Sequence, residues 1–174
     1  KEIIKFKPRK RLSFFNRYRK NPNKKLPLEI KGLQPGLAVH FAECCLPLPG
    51  EDIFGISEVD VGVIIHSANC KKLIEDFSED LWLSATWKDV SKEQLFTSRI
   101  KISVVNEPGS LGMLATHIGD HGGNIINLNI SEKSNDFFDM IFEMNLKNLD
   151  HLKTIIASLK EIDRVSMVKR LYIN

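Results

Sequence analysis

Apolar and polar residues alternate along the second half of the chain with the periods of strands and helices. Strands with one buried face are predicted where apolar residues recur at every second position, at 100–104, 126–130 and 138–146. Helices are predicted where the spacing changes to three or four residues, at 111–118 and 149–159. With a last strand at 165–172, the order β-α-β-β-α-β predicts a ferredoxin-like domain over residues 99–174, with two helices on one face of a four-stranded antiparallel sheet.

Shorter apolar runs in the first half predict one small αβ unit over residues 33–90. Its strands are predicted at 37–41, 53–56, 62–66 and 81–87, and the second and third form a hairpin. A short helix is predicted at 69–77, with Ser67 or Asn69 as its N-cap. Residues 91–98 are predicted to be a polar linker, and residues 1–32 a basic lead-in with several prolines. The fold class is therefore α+β, with two small domains.

Charge is distributed unevenly along the chain. Residues 1–25 hold eleven Lys or Arg and one acidic residue, a net charge of +10, whereas residues 26–174 carry a net charge of −7. A basic tail on an acidic body can contact nucleic acid, although a solvated linker has the same composition. Aromatic residues among the basic ones fit RNA contact, and they fit equally a helix that packs on a neighbouring domain: Phe14, Phe15 and Tyr18.

Composition narrows the class of protein. A 43% content of apolar residues is enough for packed cores, and no apolar run is long enough to span a membrane. Three cysteines, an odd number without a signal peptide, indicate a reducing compartment. We therefore expect a cytoplasmic protein. The chain begins with Lys rather than Met, and we expect it to be a fragment of a longer protein.

A Pro-Gly turn joins the first strand and the first helix of the predicted ferredoxin-like domain, at 106–112. Backbone N–H groups at a helix start have no partner within the helix and can hold a carboxylate. A second glycine segment, 122–125, is predicted to lie at the same end of the sheet, so that the two together form a ligand site. The alternative is that the glycines only allow close helix packing.

Three cysteines and a histidine form a second group with chemistry: Cys44, Cys45, His66 and Cys70. Thiolates and imidazole are the usual zinc ligands, and four of them make a closed tetrahedral site. Adjacent cysteines point in different directions in an extended chain, so both bind one metal only if the backbone kinks, which Pro47 and Pro49 favour. The alternative is that the cysteines are small buried residues of a compact core.

The Pro-Gly turn and the element order around it resemble the ACT domain, a regulatory amino-acid-binding module. The matching residues are Asn106, Pro108, Gly109, Leu111, Gly112, Gly123, Asn124 and Ile125. The resemblance implies that two such domains pair and hold an amino acid near this loop. The ligand contacts that it implies are Asn106, Pro108, Gly109, Ser110, Leu111, Gly112, Asn124, Ile125 and Ile126. The apolar members favour a branched-chain ligand such as valine or isoleucine.

The cysteine-containing segment resembles the zinc-finger, or RIS, domain of the long RelA/SpoT homologues, the bifunctional (p)ppGpp synthetase/hydrolases. The segments that carry the resemblance are AECCLPLPGEDIFG at 42–55 and GVIIHSANC at 62–70. In that family this domain directly precedes a C-terminal ACT domain, which is the order found here over roughly residues 36–174. The resemblance implies that Cys44, Cys45, His66 and Cys70 bind zinc. Asn69 stands where the family often has Asp, which removes a charge but no ligand.

The resemblance implies a regulatory fragment and not an enzyme. The parent would transfer pyrophosphate from ATP to GTP or GDP and hydrolyse the product, and we predict no catalytic residue in this chain. A branched-chain amino acid on paired ACT domains would shift the balance between synthetase and hydrolase. The alternative is a dimerisation module that contacts the ribosome or rRNA and binds no small molecule.

Overall fold

The computed structural model describes residues 27–32, 36–71, 82–133 and 136–173, the side chains of 131–133 excepted. The basic segment 1–25 and most of the predicted helix at 69–77 lie outside these ranges. Within them, no helix is long and apolar enough to cross a membrane.

Five short strands form the first sheet: β1 Leu28–Ile30, β2 Val39–Phe41, β3 Ile53–Glu58, β4 Gly62–Ser67 and β5 Trp82–Trp87. Their order is β1-β5-β3-β4-β2, in which the β2–β4 pair is parallel and the other pairs are antiparallel. The predicted hairpin is confirmed as β3 and β4. The sequence pattern does not predict β1, which falls in the predicted lead-in, because three residues are too few to show a period. In the structure β1 pairs with β5.

Four longer strands and two helices form the second unit: β6 Phe96–Val105, α1 Ser110–Asp120, β7 Asn124–Lys133, β8 Phe137–Leu146, α2 Leu149–Lys160 and β9 Val165–Arg170. The sheet order is β7-β8-β6-β9, and each neighbouring pair is antiparallel. This is the predicted ferredoxin-like arrangement. β6 includes residues 96–98, predicted to be linker, because Phe96 and Ser98 are buried in phase with Ile100.

Helices α1 and α2 cover one face of the second sheet. α1 buries Leu114 and Ile118, and α2 buries an equivalent stripe, formed by Leu152, Ile155 and Leu159. Gly123 lies where the two helices meet, and a Cβ added there would lie 2.7 Å from Cγ2 of Ile118 and 3.0 Å from Cδ1 of Ile155. A larger residue therefore does not fit at position 123.

Two apolar positions differ from the predicted pattern. Leu111, the first apolar residue of the predicted helical spacing, is 41% exposed, and the buried apolar stripe of α1 begins at Leu114. In β7 the register shifts between Ile125 and Asn127, and Ile126 beside this irregularity is 44% exposed. A β-bulge moves the alternation by one residue. The β7 residues that pair with buried β8 residues are therefore Ile125, Leu128 and Ile130.

The two units share part of one core. Leu48, from the turn after β2, is fully buried in the core of the second unit. The rings of Phe41 and Trp87 stack with centroids 5.6 Å apart, and Phe96 meets Trp87 edge-on at 5.4 Å. The N–H of Leu149 donates to the carbonyl of Pro49 at 2.9 Å. The first unit therefore packs where β6 and α2 begin, and the Pro-Gly turn lies at the other end of β6.

Candidate functional site

A tight turn after β2 brings two adjacent cysteines to one point. The N–H of Leu46 donates to the carbonyl of Ala42 at 2.9 Å, and Leu46 has a φ of 46°, in the left-handed region. This kink lets the side chains of Cys44 and Cys45 reach the same site. The sequence predicted a kink beside the prolines, but a leucine with positive φ has no sequence signal of its own.

The two thiols meet His66 at the end of β4 and Cys70 just beyond it. Sγ of Cys44 lies 3.6 Å from Nδ1 of His66 and 3.5 Å from Sγ of Cys70, and Sγ of Cys45 lies 3.9 Å from Nδ1 of His66. The four ligand atoms all lie within 4.8 Å of one another. In tetrahedral zinc sites, Zn–S bonds of about 2.3 Å and Zn–N bonds of about 2.0 Å place neighbouring ligand atoms about 3.5–3.8 Å apart. The donor set and its spacing therefore fit a zinc ion.

The thiols of this group hold their protons with different affinity. Hydrogen bonds with Cys45, His66 and Cys70, of which the bond with Cys45 has the largest effect, lower the pKa of Cys44 to about 4 against the opposing effect of burial. The same hydrogen bond and burial raise the pKa of Cys45, although the N–H of Ser67 donates to its sulfur at 3.4 Å. Metal ligation requires thiolates. Cys44 is therefore the thiol of this pair that ionises more readily, and Cys45 would have to lose its proton to bind a metal.

The turn between β6 and α1 leads into the helix through a glycine. Gly109 is the N-cap residue, with a φ of 86°, and has no side chain to cap the first turn, while the N–H of Ser110 donates to the carbonyl of Glu107 at 3.2 Å. The buried hydroxyl of Ser110 donates to the carbonyl of Val105 at 2.8 Å and fixes the turn on the end of β6. The first N–H groups of α1 therefore form the kind of site that accepts a carboxylate.

Open space surrounds two glycines of this turn. Apart from the adjoining residues and the backbone of α1 itself, no heavy atom of the described residues would lie within 4 Å of a Cβ added at Gly109 or Gly112. Positive φ explains Gly109, but neither conformation nor crowding explains Gly112. Close helix packing, the alternative reason for these glycines, applies instead to Gly123. Leu111, between the two glycines, is exposed and free to contact a ligand.

The structure places the two segments of the predicted ligand site at opposite ends of the sheet. Val105 pairs with Phe137 at one end of β8, whereas Asn124 pairs with Asn145 at the other end. The prediction that both segments lie at the same end is wrong within one chain, because α1 returns the backbone by about 16 Å over its 11 residues. Residues 124–126 therefore lie away from the turn at 106–112.

The sheet face opposite the helices is polar and carries two ion pairs between neighbouring strands. Lys101 pairs with Asp139 at 2.6 Å, and Arg99 pairs with Glu143 at 3.0 Å. Exposed apolar side chains lie instead on β7, on the first turn of α1 and at the start of β8: Ile126, Ile130, Leu111 and Phe137.

Comparisons with known proteins account for both units. Residues 28–88 match the model of the RelA/SpoT RIS domain, and residues 92–170 match the model of the ACT domain. GTP pyrophosphokinase rsh of Brucella abortus (strain 2308) is 34% identical over 148 residues, which cover 84% of this chain and 20% of that protein. The bifunctional (p)ppGpp synthase/hydrolase SpoT of Escherichia coli (strain K12) is 28% identical over 144 residues, 82% of this chain and 20% of SpoT.

The chain belongs to the RelA/SpoT family and matches its C-terminal region. The chain spans about a fifth of the length of these relatives. A solved ACT domain from GTP pyrophosphokinase of Chlorobium tepidum is 24% identical, with a TM-score of 0.40, and covers 45% of this chain and 100% of the solved domain. The two family models assign the first unit as a RIS domain and the second as an ACT domain, and this C-terminal region is regulatory in the family.

The turn at residues 42–46 is here called the cysteine turn of the RIS domain. Sequence reasoning missed three residues that surround it: Glu51, Arg99 and Arg170. Arg170 reaches the backbone of Cys45 across 125 positions of sequence. The local sequence pattern does not predict such a contact, because the alternation of apolar and polar residues in β9 indicates only which side chains face away from the core.

Proposed function

We propose that this region senses a branched-chain amino acid through its ACT domain and shifts the balance between (p)ppGpp synthesis and hydrolysis in a longer parent enzyme. The carrying observation is the glycine-lined start of α1, whose N-cap residue has no side chain, with open space beside Gly109 and Gly112. The carboxylate of the ligand would accept from backbone N–H groups there. The exposed side chain of Leu111 supplies an apolar contact for a valine or isoleucine side chain. The fragment itself would carry out no chemistry.

A second copy of the chain supplies the missing half of the ligand site. β7 is an edge strand with exposed apolar side chains, and a two-fold axis pairs two such edges antiparallel. Antiparallel pairing places the start of one β7 beside the end of the other, which is the end of the sheet that carries the turn 106–112. Asn124, Ile125 and Ile126 of one copy would then meet Asn106–Gly112 of the other in a homodimer.

Isothermal titration calorimetry tests the amino-acid proposal. Valine, isoleucine or leucine at millimolar concentration is expected to give saturable heat, and aspartate and lysine are not. Gly112→Val should abolish the heat, because the new side chain fills the open space above the turn. Gly119→Val is the matched control, since Gly119 lies in the same helix with equally open surroundings. Absence of heat from all three apolar ligands, or equal loss in both variants, contradicts the proposal.

We also propose that the RIS domain binds zinc through Cys44, Cys45, His66 and Cys70. The support is the convergence of three thiols and an imidazole at distances that suit one tetrahedral ion. A structural zinc would cross-link the turn after β2 to the end of β4, and it would have no open position for a substrate.

Metal analysis of the purified chain is expected to give about one zinc per chain. Cys70→Ser should remove most of it, because three ligands no longer close the site. Asn69→Ala, at the exposed neighbouring position, should retain the full amount. A metal-free wild-type chain of unchanged thermal stability would instead favour the interpretation of these cysteines as core residues.

A further inference from the structure

Backbone carbonyls of the cysteine turn of the RIS domain accept hydrogen bonds from donors in the ACT domain. The guanidinium of Arg99 donates to the carbonyl of Glu43 at 2.7 Å. The N–H of Ile173 donates to the carbonyl of Cys44 at 2.8 Å. Nη2 of Arg170 donates to the carbonyls of Cys45 and Leu46, at 3.1 and 2.9 Å. Four consecutive carbonyls of the turn thus accept from donors in β6, β9 and the segment after β9.

Contacts on several sides fix the position of the Arg170 side chain. Nη1 pairs with the buried carboxylate of Glu51, and the side chains of these two residues are only 11% and 4% exposed. The guanidinium lies 5.0 Å from the ring centroid of Tyr172. Tyr172 in turn packs on the buried cluster that contains Cys45 and Cys70. Nη2 carries two N–H bonds in a fixed plane, so it can donate to both carbonyls while Nη1 pairs with Glu51.

We propose that Arg99, Arg170 and the N–H of Ile173, here called the carbonyl clasp, hold the cysteine turn in its ligating conformation, so that metal binding and ACT packing stabilise each other. The turn contains a leucine with positive φ, and such a residue keeps that conformation only when its surroundings impose it. The clasp supplies those surroundings from the ACT domain. The coupling to metal rests on the proposed zinc site, whereas the effect on the turn does not.

The metal-free chain provides the first test. Alkylation of the buried Cys45 by iodoacetamide, followed by mass spectrometry, reports opening of the turn. Arg170→Gln is expected to raise this rate at least about tenfold, because it removes charge-assisted hydrogen bonds from the guanidinium to two carbonyls of the turn. Lys169→Gln, at an exposed neighbouring position on β9, is the matched control and should leave the rate unchanged. Equal rates in Arg170→Gln and wild type would overturn the proposal.

A backbone variant distinguishes loss of the hydrogen bonds to the turn from a general destabilisation of the chain by Arg170→Gln. Ile173→Pro removes the N–H that donates to Cys44, whereas Ile173→Ala keeps it and removes a comparable amount of half-exposed side chain. Faster alkylation of Cys45 in the proline variant alone supports the clasp. The same rate in both variants contradicts the role of this hydrogen bond.

Zinc affinity, measured by competition with a chromophoric chelator, provides the second test. Arg170→Gln is expected to weaken zinc binding about 10- to 100-fold, and Lys169→Gln to leave it unchanged. Zinc binding should also slow hydrogen exchange of the Ile173 amide. If wild type binds zinc and Arg170→Gln binds it equally well, the coupling is wrong. If wild type binds no zinc but the alkylation rates differ as expected, the zinc proposal fails and the hold on the turn stands.

Discussion

Leu48→Ala is expected to lower the free energy of unfolding of the whole chain by about 2–5 kcal/mol. Leu48 belongs to the RIS domain by sequence, but its side chain is fully buried among residues of the ACT core. The substitution leaves a cavity that neither domain closes alone, because Leu48 approaches on a turn and the surrounding strands and helices are fixed by their own pairing. Both domains should therefore lose stability together.

Urea denaturation followed separately by tryptophan fluorescence and by circular dichroism checks this expectation. The two tryptophans, Trp82 and Trp87, lie in the RIS domain, whereas α1 and α2, the helices of the described residues, lie in the ACT domain. Leu48→Ala should move both transitions to lower urea by the same amount. Leu95→Ala makes the same chemical change at a position that is 50% exposed, and it should move neither. Separate transitions, with only the fluorescence one displaced, would show that the domains unfold independently.

The long periodic elements of the ACT domain could be predicted from sequence, because burial of one face imposes a period that extends over many residues. Met140, Phe142 and Met144 are buried at alternate positions of β8, as predicted. Elements are not predicted correctly where the periodic pattern of apolar residues is short or broken. The three residues of β1 are too few to define a period, and the irregularity after Ile125 shifts the alternation in β7.

The candidate sites were only partly predictable. Residue types and spacing predict that the four possible zinc ligands lie together, and the structure places their ligand atoms within one small volume. The spatial relation of the two ACT segments was not predictable from spacing, and we placed residues 122–125 at the wrong end of the sheet. A helix that follows a strand carries the chain back along it, so the next strand starts at the far end. That geometry is what makes a second copy necessary for the proposed ligand site.

One strand connects the two proposed sites. Arg99, near the start of β6, holds the cysteine turn, and Val105, at its end, anchors Ser110 at the start of α1. The distance between the two positions is about 20 Å along an extended strand. β6 lies in the middle of the sheet, paired with β8 and β9. A change of position in β6 on ligand binding would therefore reach the cysteine turn through Arg99.

Glu51→Gln is expected to destabilise the chain by about 3–5 kcal/mol, because it leaves the buried guanidinium of Arg170 without its counter-charge. The pair joins the RIS domain to β9, so the loss should appear in both unfolding transitions. A buried pair is screened little by salt, and the difference from wild type should persist at high ionic strength.

The exposed ion pair of Glu29 and Lys88 is the matched control for this effect. Its side chains are 57% and 54% exposed and its N–O distance is 2.8 Å, so Glu29→Gln should leave the urea midpoint unchanged. A double-mutant cycle with Glu51→Gln and Arg170→Gln separates the pair from the bonds that Arg170 makes to the cysteine turn. Arg170→Gln should cost less in the Glu51→Gln background than in wild type, because the remaining loss is that of the carbonyl contacts. Additive effects of the two substitutions would mean that Glu51 and Arg170 act on stability independently, and that the ion pair does not hold the domains together.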